Sequence, residues 1–118
     1  MRVKSRIYSR SFKFASKLIR LIRKFNVHPS CFSIINQVVR SSTSISANII
    51  EAQDARSRSE FVSNYSVALR EAKETLHWLN FVEDLEINRE TSLDDLKKEN
   101  LEIIKILSAI IISAKKNR

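Results

Sequence analysis

The chain has 118 residues, enough for one domain, and its 43% hydrophobic and 29% charged content excludes an intrinsically disordered polymer. It has no Gly and a single Pro, so it has few means of making tight turns, which argues for long helices over a strand-and-hairpin fold. The net charge of +8 is polarised: residues 1–50 hold ten Lys or Arg and no acid, whereas residues 51–118 hold eleven basic and thirteen acidic residues. Such a block attracts polyanions, either nucleic acid or an anionic membrane surface.

The first helix is predicted over residues 8–25. Phe14, Leu18, Leu21 and Phe25 recur at helical spacing on one face, while Arg10, Lys13, Lys17, Arg20 and Lys24 follow a similar period on another. Basic residues interrupt the apolar ones throughout this region, so the uninterrupted core of a signal peptide is not expected. Pro29 ends the segment by disfavouring helical geometry at the residue before it.

Helix two is predicted over residues 30–53, with apolar positions including Phe32, Ile35, Val39, Ile45 and Ile49. Its middle is a run of small residues, Ser41, Ser42, Thr43, Ser44, Ser46 and Ala47. Ser and Thr are indifferent helix formers, so this run implies close helix packing rather than local propensity.

Ser57 and Glu60 have the spacing of a capping box at the start of helix three. Phe61, Tyr65, Ala68, Ala72, Leu76 and Leu79 then form one stripe, and the helix ends near Leu85, with Asn88 the best candidate for a left-handed stop. Thr91 and Ser92 offer caps for helix four, with Asp94 and Asp95 at its positive end. Leu93, Leu96, Asn100, Ile103, Leu107, Ile110 and Ala114 alternate by threes and fours, a heptad seam with one polar member. Leu101, Ile104 and Ile111 form a second stripe, widened by Ile106 and Ile112. One bundle core covers only one side of such a helix, so a second surface, another copy of the chain, is expected. Asn100 is either solvated or, as favoured, sets helix register or subunit number by requiring a polar partner. The most apolar stretch, residues 101–114, contains Glu102 and Lys105 and is shorter than the roughly 20 residues of a membrane span, so a soluble protein is expected. The short joints make sequential helices antiparallel, giving an all-α, up-and-down four-helix bundle that forms one domain over residues 1–118.

The candidate site is the helix-one face. With Arg2, Lys4, Arg6 and Arg23 it makes nine cations before residue 25, offset by no acid. A solvated helix face is the plainer reading, but such faces usually mix both signs, whereas phosphate neutralisation needs a surface of one sign. A membrane-surface helix fits less well, because the bundle needs helix one for its core. Tyr8, Phe12 and Phe14 stand among these cations, and for Tyr8 and Phe12 core packing and base stacking are both open. Trp78 and Phe81 read as packing. Glu74 and His77 have the Glu-x-x-His spacing of di-iron bundles, but those sites need two such pairs plus two further Glu, and the other histidine, His28, sits at the first joint. His28 is also the nearest base to Cys31, with nothing to orient its ring, so Cys31 reads as structural. As the sole cysteine it forms no intrachain disulfide, and a reducing cytoplasm is the expected compartment. No nucleophile, base or ligand set clusters in the sequence, so no enzymatic activity, cofactor or metal is expected.

Two stretches resemble the four-helix bundle proteins encoded within intervening sequences of bacterial 23S ribosomal RNA genes. In residues 37–53, QVVRSSTSISANIIEAQ, Arg40, Ser44, Ile45, Asn48, Ile49 and Glu51 fall where that family's signature has them. Residues 68–79, ALREAKETLHWL, supply its Glu-Ala-x-Glu-Thr and Trp-Leu pairs, and Ser59-Glu60-Phe61 fits between. Many relatives have Gly after the signature Glu; here Ala52 stands there, which would lengthen helix two. The resemblance implies a cytoplasmic bacterial protein without enzymatic activity, often a homopentamer, with a role at ribosomal RNA. The chain is also similar to the accessory proteins of diversity-generating retroelements, basic pentameric bundles that bind a reverse transcriptase and its nucleic acid.

The expectation is therefore a ring-like homo-oligomer, pentameric by resemblance, that binds RNA through Arg10, Lys13, Lys17, Arg20 and Lys24. The alternative is a protein–protein adaptor that docks an acidic partner or a reverse transcriptase.

Overall fold

A computed structural model describes residues 5–116; Arg2 and Lys4, counted above among the cations, lie outside them. Four helices follow one another: α1 (Arg6–Ile22), α2 (Phe32–Gln53), α3 (Arg58–Asp84) and α4 (Asp94–Lys116), with a short 3-10 turn at Pro29–Cys31 leading into α2. Each helix packs on its neighbours in the chain, and α1 closes the ring against α4, in a body of 48 × 28 × 22 Å. This is the expected antiparallel four-helix bundle. No helix among the described residues is long and apolar enough to cross a membrane.

Local chemistry sets the helix ends. Ser5 caps α1 by accepting from the Tyr8 N–H, and Ser57 caps α3 by accepting from the Glu60 N–H. Ser92 Oγ accepts from the Asp94 N–H at 3.1 Å and starts α4. The end of α1 tightens: the Lys24 and Phe25 N–H groups bond to Leu21 and Ile22 carbonyls, so residues beyond Ile22 wind more tightly than an α-helix.

The left-handed stop after α3 is Glu86 rather than Asn88. Glu86 has φ of 53°, its N–H bonds to the Glu83 carbonyl, and the Ile87 N–H reaches back to Val82 at 3.0 Å. These two bonds make a Schellman motif, which requires the left-handed residue directly after the cap and turns Ile87 back onto the core. Asn88 serves the following joint instead, donating to the Thr91 carbonyl and accepting from the Glu90 N–H.

Leu18, Val38, Ile45, Ile49, Leu79, Ile103 and Leu107 fill the core and are almost wholly buried. On α2 the buried valine is Val38, not Val39, and Phe32 is 54% exposed at the helix start. On α4 the heptad seam holds from Leu93 to Leu107, then burial passes from Ile110 to Ile111. A 3.5-residue pattern drifts by about 20° per heptad on a straight helix, so its last turn leaves the core-facing line. Asn100 is fully buried and donates through Nδ2 to the Ala72 carbonyl of α3 at 2.9 Å. The Nδ2 partner therefore lies within the same chain and ties α4 to α3, while the buried Oδ1 has no hydrogen-bond partner among the described residues.

A non-glycine residue held at left-handed φ costs about 1–2 kcal/mol, against about 0.5–1 kcal/mol for the extra unfolded-state freedom of Gly. Glu86→Gly is therefore expected to raise the thermal midpoint by a few degrees in a melt followed by circular dichroism; a lowered midpoint would contradict the assignment of the stop.

Candidate nucleic-acid interface

At 3.6 residues per turn, Arg6, Arg10, Lys13, Lys17, Arg20 and Lys24 fall within an arc of about 80° on α1 and its terminal turn. All six are exposed. The adjoining face of α1 carries Ile7, Phe14 and Leu18 into the core, so the same amphipathic spacing that buries one side turns the cations outward.

The stripe is not uniform. Its margin toward α4 meets carboxylates: Arg10 holds Glu99 through two parallel bonds of 2.7 and 2.8 Å, and hydrogen bonding to Glu99 keeps its guanidinium still more firmly protonated. Asp95 and Glu99 border the same shallow cleft as Lys13 and Lys17. Among the described residues, Lys13, Lys17, Arg20, Arg23 and Lys24 form no ion pair.

On the other flank, toward α2, the three aromatic residues part company. Phe14 is buried, Tyr8 is partly buried against the core, and Phe12 is 55% exposed. A groove of about 470 Å³ between α1 and α2 is lined by Phe12, Ser16, Ile19, Arg20, Arg23 and Thr43, among others. Arg23 belongs to this groove. Helical spacing sets it off the main stripe, and only the position of α2 marks it as part of a concave surface.

The remaining candidates occupy separate places. Arg40 is the centre of a clamp on the outer side of α2 and α3: Nε donates to Gln37 Oε1 at 2.8 Å, Nη1 to Glu71 at 2.8 Å and Nη2 to Glu74 at 2.7 Å. It joins the two stretches of sequence that carry the family resemblance. Hydrogen bonding shared with Glu71 outweighs the cost of burial and, with the charge of Arg40, holds the Glu74 carboxyl below its ordinary range. Glu74 thus faces Arg40, while His77 packs edge-on against Trp78 and Phe81, with ring centroids 4.9 and 5.2 Å apart. His28 Nδ1 accepts from the Ser30 N–H and lies 2.8 Å from Ser30 Oγ, so its ring is engaged with Ser30. Among the described residues, no three His, Cys, Asp or Glu side chains gather where they could hold a metal ion.

Fold and surface together define a class: an antiparallel helical bundle whose first helix presents a mostly unpaired cationic face. The chain belongs to the 23S rRNA-intervening sequence protein family, whose model matches residues 3–109. It is similar to a protein of unknown function from the S23 ribosomal protein family of Bacteroides thetaiotaomicron, seen in a crystal structure at 1.70 Å resolution. The two are 36% identical with a TM-score of 0.79, over 89% of this chain and 97% of that one. Among curated proteins none matches this chain.

Removing Arg40 leaves the Glu71 carboxylate, whose side chain is only 10% exposed, without its cation. Arg40→Ala is expected to cost about 2–3 kcal/mol at pH 7 in urea denaturation. Glu74 has a folded pKa below its ordinary value of 4.5, so its contribution is complete above that value and is lost as pH falls through the lower folded one. The penalty of Arg40→Ala should therefore shrink in acid. A penalty equal at pH 7 and below pH 4 would count against the clamp.

Proposed function

We propose that this chain is a non-enzymatic nucleic-acid-binding module, directed to ribosomal RNA, that works through the outward face of α1. The observation behind this reading is the set Lys13, Lys17, Arg20 and Lys24, exposed on one arc and without ion-pair partners among the described residues. Phosphates approaching this arc displace counterions, which supplies affinity that depends on salt and little on base sequence. Arg10 contributes by exchanging Glu99 for a phosphate, a small cost because exposed ion pairs are worth about 0–1 kcal/mol.

The family description ties these proteins to 23S ribosomal RNA through the intervening sequence, which makes ribosomal RNA the first ligand to try. The chain is proposed to act in the cytoplasm as a homo-oligomer. Leu101 and Ile112 are exposed on one flank of α4, and on its other flank, toward α3, Phe61, Ile106 and Ile110 line an apolar groove of about 850 Å³. A second copy covering either flank would repeat the cationic helix and add avidity.

The decisive variant is Lys17→Glu with Arg20→Glu, measured by fluorescence anisotropy against structured RNA at several salt concentrations. Binding should be lost with helicity unchanged by circular dichroism, and the parent should weaken steeply with salt. Retained affinity in the double variant would remove the α1 face as the interface. Sedimentation equilibrium checks the assembly: a monomer at all concentrations would exclude the α4 contact.

A further inference from the structure

We propose that the groove between α1 and α2 holds an unpaired nucleotide, with its base on Phe12 and its phosphates on Arg20 and Arg23, so that single-stranded RNA is preferred over duplex. This rests on the proposed function and deepens it by naming the form of the nucleic acid.

Four features of the groove agree. First, Phe12 is 55% exposed on a helix whose other phenylalanine of the same segment, Phe14, is buried. It is braced by Tyr8 one turn earlier, with ring centroids 6.1 Å apart, so its ring is a supported platform with an open side. Second, Arg20 and Arg23 line the same groove and form no ion pair among the described residues. Positive charge at one end and an aromatic ring at the other is the arrangement that a stacked base with its phosphate requires. The distance along α1 from Phe12 to Arg23 is about 16 Å at 1.5 Å per residue, room for a base and the phosphates on either side of it.

Third, the α2 wall supplies acceptors. Thr43 Oγ1 donates to the Val39 carbonyl at 2.8 Å, and Ser46 Oγ donates to the Thr43 carbonyl at 3.4 Å. With their protons directed to the helix backbone, these hydroxyls offer lone pairs to the groove, suited to base amino groups or a ribose 2′-hydroxyl. Fourth, Arg20 belongs both to the groove and to the exposed stripe that continues through Lys13, Lys17 and Lys24, so a strand lying along α1 keeps its backbone on the stripe while one base turns in. A paired base inside a duplex cannot reach a ring set in a concave surface without being unstacked.

The test compares a single-stranded RNA of about 12 nucleotides, within the usual footprint for such surfaces, with the same sequence as a blunt duplex. Phe12→Ala and Phe12→Leu are measured beside the parent chain and the Lys17→Glu, Arg20→Glu variant. Phe12 is outside the core, so both substitutions should preserve helicity, and the leucine keeps apolar cover without a π face. Each should weaken single-strand binding by about 5- to 100-fold, leave duplex binding within about twofold, and leave the salt slope unchanged because no charge is removed. Arg23→Gln should lower the single-strand slope by about 0.7. Single-strand affinity that survives both Phe12 substitutions overturns the nucleotide groove; if the charge-reversal variant still loses binding, the α1 face stands without it. A parent chain that binds neither form removes both readings.

Discussion

The close seating of α2 on α3 is the constraint on which the rest of the bundle depends. Where these helices meet, the buried residues are small: Ser41 on α2, and Ala68, Ala72 and Thr75 on α3. Small side chains let the helices approach, but they also bring hydroxyls into a place without water, and each must find a partner. Ser41 Oγ donates to the Gln37 carbonyl, and Thr75 Oγ1 lies 2.9 Å from Ser41 Oγ while also reaching the Glu71 carbonyl. Each hydroxyl is thus satisfied by a carbonyl of its own helix, and the Thr75–Ser41 contact is the one that joins α3 to α2. Arg40 closes it from outside, and Asn100 then ties α4 to the carbonyl of Ala72 on the same helix. With α2, α3 and α4 set, α1 has one place left, on α2 and α4, and its apolar face decides which way its cations look.

That placement also decides how much of the positive charge is free. Helix α4 brings Asp95, Glu99 and Glu102 to the near side of the stripe, and Glu99 takes Arg10. Charges on the far side are separated from these acids by the width of α1. Lys13 and Lys17 share the cleft of Asp95 and Glu99, whereas at a screening length of about 8 Å a carboxylate on one flank of a helix does little to Arg20 and Arg23 on the other. The field of α1 is therefore directional, weakest toward α4 and strongest outward and toward the α2 groove.

Much of the architecture was legible because it rests on local chemistry. The cap at Ser57, the start at Ser92, the break before Pro29 and the alternating seam of α4 are each written within a few consecutive residues. Glu86 was not legible: nothing in a glutamate announces positive φ, and the choice follows from where Ile87 must enter the core. The exchange of Ile110 for Ile111 was hidden for a related reason, since the accumulated drift of a heptad depends on how straight the helix is. In the candidate site the five cations could be named from their period, but the Arg10–Glu99 pair joins residues 89 positions apart. No spacing rule reaches that far. Phe12 and Tyr8, equivalent as sequence, differ only in the fold, where Tyr8 packs against the core and Phe12 stays exposed.

By itself the sequence determined four helices in antiparallel order, the charge polarity of the chain, and enough of a signature to point to its family. Those properties follow from periodicity, capping and composition, which act over one or two helical turns. Only the tertiary structure decided which cations keep their charge unopposed, that the two signature stretches meet at Arg40, and that an exposed ring and two arginines share a groove. These are matters of distance between segments remote in the chain, and distance is set by packing rather than by the order of residues.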